Sequence, residues 1–185
     1  MRILAYIYYL ITSLRNFLYD KRILPIRRVE GVEIICIGNI TVGGTGKTPA
    51  VQYFVKRLQK MGRKVAVVSR GYRGKRKREP LLVSDGYEIF ATARESGDEP
   101  FIHALNLKVP IVVSSNRYKG CMFAKKHFGV DTIVLDDGFQ HRKLYRDRDI
   151  VLIDATNPFG WGEVLPKGML REDLKKEQEE LLNLL

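Results

Sequence analysis

Short runs of β-branched and other apolar residues alternate along the chain with longer segments whose apolar positions recur at helical spacing. An Asp85–Gly86 pair between LLVS and YEIF interrupts this alternation and predicts an inserted β-hairpin. Together the segments predict an α/β fold with a doubly wound, mostly parallel sheet. The predicted strands are residues 33–37, 65–69, 109–114, 132–135 and 150–153, and the predicted helices are residues 48–60, 99–107 and 116–128.

The first apolar segment is an uncharged run, residues 3–14, between Arg2 and Arg15. As a helix it would rise only about 18 Å, whereas about 20 residues are needed to cross a bilayer. The residues after it lack the small-residue cleavage site of a secretory signal. The segment therefore predicts an amphipathic N-terminal helix. It either packs in the core or lies on a membrane, where its tyrosines and flanking cations suit the headgroup region, and the residues alone leave both alternatives open.

Composition and charge narrow the class of partner. With 185 residues, of which 45% are hydrophobic and 29% charged, the chain is long enough for one globular α/β domain. Its formal net charge of +11 implies an anionic partner, that is, nucleic acid, a phosphorylated ligand or an acidic membrane surface. The two cysteines, Cys36 and Cys121, have no metal or redox spacing, and we interpret both as reduced, packed thiols.

A glycine-rich run, GGTGKT, follows the first predicted strand and precedes the first predicted helix. Its glycines allow successive backbone N–H groups to point into one concavity, and the helix adds the positive end of its dipole, so the natural occupant is phosphate. The match to G-x-x-x-x-G-K-[ST] is imperfect because Thr41 stands at the first glycine. The alternative is an ordinary tight turn. The predicted nucleotide-binding residues of this loop are Gly43, Gly44, Thr45, Gly46, Lys47 and Thr48.

A nucleotide loop of this kind needs a carboxylate for Mg²⁺ at the end of a neighbouring strand. Asp136 and Asp137 directly follow the strand predicted at residues 132–135. We predict that they hold Mg²⁺ with the hydroxyl of Thr48, while Lys47 reaches the β and γ phosphates of the nucleotide. The alternative interpretation of the two aspartates is a solvated turn at the strand end.

The segment SGDEP, residues 96–100, precedes a predicted helix. Because Pro100 suits a first helical turn, Asp98 or Glu99 is by default a helix cap. The functional alternative is that Asp98 accepts the proton of an attacking hydroxyl. A carboxylate suffices for this in loose phosphoryl transfer, where positioning outweighs basicity. Capping and catalysis are compatible roles for neighbouring residues.

Several cations are candidates for anion contacts. Arg70 directly follows a predicted strand, so we expect it at the same edge of the sheet as Lys47. Arg117 and Arg171 lie in predicted loops or at helix starts. The basic residues of the segment 73–78 predict a solvated loop, with lipid or nucleic acid as its possible contacts.

The three histidines give weaker signals. His103 and His127 lie in predicted helices far apart in sequence, and we interpret both as surface or packing residues. His141, in DDGFQHR, is close to the predicted metal site, where we expect it to support the loop.

Six motifs occur together and in order along the chain. They are GNITVGGTGKTP (38–49), VSRGYRG (68–74), SGDEP (96–100), NRYKG (116–120), DDGFQHRKLYRD (136–147) and LPKGMLRED (165–173). In this combination they closely resemble the tetraacyldisaccharide 4′-kinase family, the lipid A 4′-kinases of bacteria with an outer membrane. The resemblance runs from about Asn16 to Asp173, nearly the whole chain.

The resemblance implies a P-loop NTPase-like kinase that uses ATP and Mg²⁺. Its reaction would phosphorylate the 4′-hydroxyl of a tetraacyl glucosamine disaccharide 1-phosphate, giving the lipid A precursor lipid IVA. Mapped by motif, the implied catalytic residues are Asp98, as the base, and Lys47; the nucleotide contacts include Arg70, Arg117 and Arg171; and the metal site includes Thr48, Asp136, Asp137 and Glu172.

The resemblance also implies a location and a division of the chain. The family's N-terminal helix sits on the inner membrane, which favours the interfacial interpretation of residues 3–24. We therefore expect a cytoplasmic monomer attached peripherally to the cytoplasmic face of that membrane, with an acylated disaccharide phosphate as its partner and no nucleic acid. The predicted domains are a membrane-interfacial helix and linker at 1–28, a P-loop kinase domain at 29–173 and a helical tail at 174–185, before a second lobe that the family carries.

Two other functions stay open at this point. One is a noncatalytic lobe that binds ATP or membrane and lacks its C-terminal half. The other is a P-loop regulatory ATPase of the partitioning or septum-site type, although those proteins carry a signature lysine where this chain has Val42. A nucleic-acid-binding ATPase is disfavoured because no stacking aromatic motif accompanies the basic segment.

Overall fold

The computed structural model describes residues 2–44, 46–157 and 162–171. In these ranges helices and strands alternate as the apolar pattern predicts. The helices are α1 (Arg2–Asp20), α2 (Lys47–Lys60), α3 (Ala93–Ser96), α4 (Asp98–Asn106) and α5 (Arg117–Phe128). The strands are β1 (Glu33–Asn39), β2 (Val65–Ser69), β3 (Leu81–Ser84), β4 (Ile111–Val113), β5 (Thr132–Asp136) and β6 (Arg148–Leu152).

The strands form one sheet in the order β3-β4-β2-β5-β1-β6. The central pairs β1 with β5, β5 with β2, and β2 with β4 are parallel, and β3 runs antiparallel to β4 at one edge. All residues of β2, β4 and β5 are buried, which explains why these strands are continuous apolar runs in the sequence. The prediction of a doubly wound, mostly parallel sheet is confirmed.

Helices cover both faces of this sheet. On one face, alternate strand side chains pack with Cys121 and Ala124 of α5. On the other face they pack with Val51 and Val55 of α2 and with Ala104 of α4. In a parallel α/β sheet, a helix runs opposite to the strands, so α2 and α4 both begin at the carboxyl edge. These two helices also contact each other.

One strand is shorter than predicted, and one short helix lies outside the predicted elements. The strand predicted at residues 109–114 contains only β4, because Pro110 has no N–H group to donate to a ladder. The short helix α3 was not predicted, although Thr92 and Glu95 form the capping box that a T-x-x-E sequence indicates.

The predicted hairpin forms only in part. The side chain of Asp85 accepts hydrogen bonds from the N–H groups of Tyr87 and Glu88, which closes the turn. The first arm becomes β3 and pairs with β4, whereas the second arm contributes an isolated bridge between Ser84 and Ile89. The segment is therefore an antiparallel edge of the main sheet.

The chain divides into two compact units. One contains Ile26–Gly38 and Gly46–Leu152, and therefore almost all of the sheet and α2 to α5. The other contains Met1–Pro25, Asn39–Thr45 and Ile153–Leu185. The domain bounds expected from the sequence stay a prediction.

Backbone pairing organises the unit that contains α1. The N–H of Val42 donates to the carbonyl of Met169 at 2.8 Å, and the N–H of Arg171 donates to the carbonyl of Ile40 at 2.9 Å. The hydroxyl of Tyr8, in α1, donates to the carbonyl of Arg171 at 2.7 Å. The segment leading into the glycine-rich run is thus fixed by pairing with a segment distant in sequence.

Close backbone packing also fixes the basic loop that follows β2. A Cβ atom added at Gly71 would lie 2.4 Å from the carbonyl oxygen of Ser96, and one added at Gly97 would lie 2.6 Å from that of Tyr72. One added at Gly74 would lie 2.5 Å from the carbonyl oxygen of Glu95. Only glycine permits this approach, so the loop and the α3–α4 junction are held together as one wall.

We expect Gly71→Ala to destabilise the fold far more than Gly62→Ala. Both residues have left-handed backbone angles, but a Cβ at Gly62 would meet no atom within 4 Å. Alanine at Gly62 should therefore cost only about 1–2 kcal/mol of left-handed strain. At Gly71, overpacking should add about 1–3 kcal/mol to the loss. Chemical denaturation of both variants measures the difference, and equal losses would show that the close packing is not tight in solution.

Candidate active site

The glycine-rich run joins the end of β1 to the start of α2. Gly43 and Gly46 have positive φ angles of 140° and 73°, which glycine adopts readily. Gly46 is the N-cap of α2, and no side chain caps that helix. The first turn of α2 therefore presents backbone N–H groups that a phosphate can accept from, as the sequence predicts. Thr45 lies outside the described residues.

Lys47 is the first residue of α2 and points toward the acidic strand end. Its side chain is only 9% exposed, and its Nζ atom lies 4.0 Å from Oδ1 of Asp137. This separation is an ion pair but too long for a hydrogen bond. Thr48, the next residue, is half-buried. The structure thus brings together the lysine and the aspartate that the sequence predicts to share a nucleotide site.

Parallel pairing fixes the two aspartates at the carboxyl edge of the sheet. Asp136 ends β5 and is paired in register with Ile37 of β1 and Ser69 of β2. Asp137 has a left-handed φ of 54°, and its N–H donates to the carbonyl of Ile37 at 3.0 Å. A non-glycine residue in this conformation stores strain, which is common at functional sites.

The aspartates offer the oxygen chemistry that Mg²⁺ prefers. Asp136 is 1% exposed, and its Oδ1 atom is buried without a hydrogen-bond partner among the described residues. A buried carboxylate oxygen with no donor is a position that a cation or water would satisfy. In the described ranges, no three His, Cys, Asp or Glu side chains are grouped to hold a metal ion unaided. Mg²⁺ bound with a nucleotide needs only one or two carboxylates, so the residues fit it.

Asp98 and Glu99 form the first turn of α4. Gly97 is the N-cap, and neither carboxylate makes a capping hydrogen bond, so the default interpretation as a helix cap is wrong. Asp98 is exposed, whereas Glu99 is half-buried. Burial and then the charge of Asp136 raise the pKa of Glu99, and the charge of Lys47 lowers it. Glu99 therefore belongs with Asp136 and Asp137 to one acidic cluster. Its position beside Asp98 in the sequence does not indicate this.

Arg117 and Arg70 form a cationic cluster near the aspartates. Arg117 is 4% exposed, and its guanidinium donates to the carbonyls of Ser115 and Asp137, each at 3.3 Å. Burial and the neighbouring charge of Arg70 lower the pKa of Arg117. Burial and then the charge of Arg117 lower the pKa of His141 to about 4. Closely spaced cations of this kind favour an anion, so the anion contacts expected for Arg70 and Arg117 stay a prediction that this arrangement supports.

A cavity of about 520 Å³ opens beside the start of α4. We call it the Asp98 cavity. Its lining includes Tyr72, Arg73, Lys75, Arg94, Asp98 and Glu99. Part of its wall is the closely packed junction of the basic loop with α3 and α4. It therefore combines an aromatic ring, three cations and two carboxylates in one preformed space.

The remaining predicted residues have different placements. Arg171 belongs to the unit that contains α1, and Glu172 lies outside the described residues. His127 is exposed on α5, as expected. Burial raises the pKa of both cysteine thiols to about 12, which agrees with packed thiols. The interpretation of His103 as a surface or packing residue missed a specific contact, since its Nε2 atom lies 3.3 Å from Oδ2 of Asp136.

Comparison with known proteins decides the family. The family model of tetraacyldisaccharide-1-P 4′-kinase matches residues 1–182. The chain belongs to this family. The resemblance inferred from the motifs is therefore confirmed, and the regulatory ATPase alternative is wrong.

Individual members of the family match over most of the chain. The tetraacyldisaccharide 4′-kinase of Halothermothrix orenii is 47% identical over 176 residues, which are 94% of this chain and 45% of the relative. That of Geobacter sulfurreducens is 43% identical over 171 residues, 91% of this chain and 48% of the relative. The chain thus spans about half the length of these relatives.

A crystal structure of LpxK from Aquifex aeolicus in complex with ATP has the same fold. It superposes with a TM-score of 0.85 at 40% identity, covering 95% of this chain and 54% of that chain. The predicted P-loop NTPase-like fold is confirmed by this match. The roles of single site residues, the membrane attachment and the monomeric state stay predictions.

We expect His141→Gln to make stability less dependent on pH. The folded chain has a His141 pKa of about 4, against 6.5 for an ordinary histidine. Between these values the unfolded chain binds a proton that the folded chain does not, so the free energy of unfolding falls as pH drops from 6.5 toward 4. Urea denaturation across this range should show a shallower fall in the variant, with the exposed His127→Gln as control. Identical slopes for wild type and His141→Gln would contradict the prediction.

Proposed function

We propose that the protein acts as an ATP-dependent kinase on the 4′-hydroxyl of a tetraacyl glucosamine disaccharide 1-phosphate, with lipid IVA as product. The observation that carries this proposal is the approach of Lys47 to Asp137 beneath a glycine-rich helix N-terminus. This arrangement binds a nucleoside triphosphate in P-loop enzymes. Family membership supplies the acceptor. Because the chain spans about half of its relatives, the complete activity belongs to the proposal.

Each residue has a task in this reaction. The N–H groups at the start of α2 and the ammonium of Lys47 would bind the phosphates of ATP. Asp136, Asp137 and Thr48 would hold Mg²⁺, which neutralises charge on the phosphates when it is bound. Arg117 would stabilise negative charge at the transferred group.

Asp98 is proposed as the base that accepts the proton of the sugar hydroxyl. Its carboxylate is exposed and lines the Asp98 cavity, so an incoming hydroxyl can reach it. Its neighbour Glu99 interacts electrostatically with Lys47 and Asp136 and also lines the cavity. Glu99 therefore connects the Asp98 cavity with the residues proposed to bind phosphate and metal.

The chemistry of the Asp98 cavity suits a phosphorylated sugar. The ring of Tyr72 is 68% exposed and offers a flat apolar surface to a sugar face. Arg73, Lys75 and Arg94 offer cations to an acceptor phosphate. This distribution supports an anionic sugar acceptor over a neutral or peptide one.

We further propose that α1 lies on the membrane surface. Ala5, Thr12 and Tyr19 form its buried stripe at seven-residue spacing. The rest of the helix exposes large apolar side chains, with Ile3 76% exposed and Ile11 63% exposed. None of the helices in the described part of the chain has the length and apolarity to span a bilayer. An apolar face of this size is typical of a membrane or protein contact, and the acylated acceptor favours the inner membrane.

Transfer of a labelled γ-phosphate from ATP to the acylated disaccharide phosphate tests the function. The chain would be assayed alone and joined to the C-terminal half of the Halothermothrix orenii kinase. Lys47→Ala should abolish ATP binding, whereas Lys56→Ala, an exposed lysine on the same helix, should not. Asp98→Asn should keep ATP binding and lose about 10²–10⁴-fold in transfer rate.

The outcomes separate the alternatives. Undiminished ATP affinity in Lys47→Ala would refute the phosphate site, and undiminished turnover in Asp98→Asn would refute the base. ATP binding without transfer in both forms would support the noncatalytic lobe instead.

Membrane attachment predicts a large loss of vesicle binding when charges are placed on the apolar face of α1. Ile7→Asp combined with Leu14→Asp should reduce sedimentation with anionic vesicles by about tenfold or more, because each replaces an exposed apolar side chain that the membrane interface would bury. Met61→Asp, at an exposed apolar residue outside α1, is the control. If the wild type, the double variant and Met61→Asp sediment equally, α1 packs against protein and the membrane proposal is wrong.

A further inference from the structure

His103 and Asp136 form a buried polar contact that joins α4 to β5. The side chain of His103 is 0% exposed and that of Asp136 is 1% exposed. The Nε2 atom of His103 lies 3.3 Å from Oδ2 of Asp136, although the residues are 33 positions apart in the chain. A polar contact buried this deeply is costly to lose, because either partner alone would be left without a hydrogen bond.

The unpartnered atoms of this contact favour one arrangement of its proton. Among the described residues, Nδ1 of His103 and Oδ1 of Asp136 have no hydrogen-bond partner. If Nε2 carries the hydrogen, His103 donates to Oδ2 and no N–H group is left buried without an acceptor. Oδ1 then stays open for a cation. The contact thus divides the carboxylate into one oxygen held by protein and one available to metal.

The position of His103 in α4 extends its effect to the rest of the site. It lies four residues after Glu99, one helical turn further along the same face. The N-terminus of the same helix carries Asp98. A hydrogen bond from His103 to β5 therefore fixes the distance between the proposed base and the proposed metal ligands.

We propose that His103 is a positioning residue that orients Asp136 toward Mg²⁺ and sets the register of α4 against β5. The proposal rests on the proposed metal role of Asp136. Hydrogen bonds to a metal-binding carboxylate commonly account for 10- to 100-fold in metal affinity, so about this range is expected here. The ring has no contact with substrate in this role, and it acts through the carboxylate alone.

Two substitutions of His103 that differ in side-chain length test the proposal. Glutamine places its amide nitrogen near the position of Nε2, whereas asparagine ends near Nδ1 and cannot reach Asp136. We expect His103→Gln to keep Mn²⁺ affinity within about threefold of wild type in the presence of ATP, and His103→Asn to lose about 10- to 100-fold. Free Mn²⁺ is measured by electron paramagnetic resonance on the full chain. His127→Asn, at an exposed histidine, is the matched control.

A second measurement needs no folded variant. The chain has only three histidines, so ¹⁵N-histidine labelling gives a spectrum in which the ring of each can be followed. His103 should show hydrogen on Nε2 and not on Nδ1, with a slowly exchanging proton.

The results distinguish this role from ordinary packing. A purely structural histidine would give variants with lower melting temperatures and unchanged Mn²⁺ affinity, and that result overturns the proposal. Equal affinities of His103→Gln and His103→Asn, or hydrogen on Nδ1 alone, also overturn it. Absence of Mn²⁺ binding with ATP in the wild-type chain would overturn the proposed metal site together with this role. Binding that only His103→Asn weakens supports it.

Discussion

The insertion of β5 between β1 and β2 is the constraint on which the candidate site depends. Parallel register with both neighbours fixes Asp136 along the strand, because sliding by one residue would exchange the two buried faces of β5 and break the packing of Ile133 and Leu135 on one face and of Val134 on the other. The same register places the end of β1, and with it the start of α2, beside the aspartates. Burial of apolar side chains on both faces of the sheet therefore stabilises a polar arrangement at its edge.

Charge is distributed over this edge in a way that apolar packing alone does not explain. Lys47 and Arg117 are both buried. The charges of Asp136 and Asp137 act on both Glu99 and Arg117, and the charge of Lys47 acts on Glu99. A buried charge costs free energy unless an opposite charge or hydrogen bonds compensate it. Sites that bind highly charged ligands contain such buried charged groups, because the ligand supplies the compensation. The strained backbone of Asp137 is of the same kind, since it destabilises the fold slightly while directing a carboxylate.

The sequence predicts the parts of this site that local patterns encode. The glycine-rich run, the strand before it and the two aspartates have signatures within a few residues of each other, so their placement follows from periodicity and from the rule that ligands bind at carboxyl strand ends. Glu99 and His103 have no such signature. Their roles arise from the packing of α4 against the sheet, and His103 reaches a residue 33 positions away. The short helix α3 is a different case, because its capping box is a local signal that the sequence itself carries.

The glycine contacts between the basic loop and the α3–α4 junction bear on which changes the Asp98 cavity, the proposed acceptor site, can tolerate. Backbone so tightly apposed cannot widen or narrow without disturbing both segments. The rim side chains Tyr72, Arg73 and Arg94, by contrast, are exposed and anchored to this rigid frame. Replacing them alters ring, length or charge while the underlying architecture is untouched. If the Asp98 cavity takes the sugar acceptor as proposed, substitutions at these exposed side chains would change acceptor preference at little cost in stability, whereas insertions or deletions in the backbone wall would disrupt the packing.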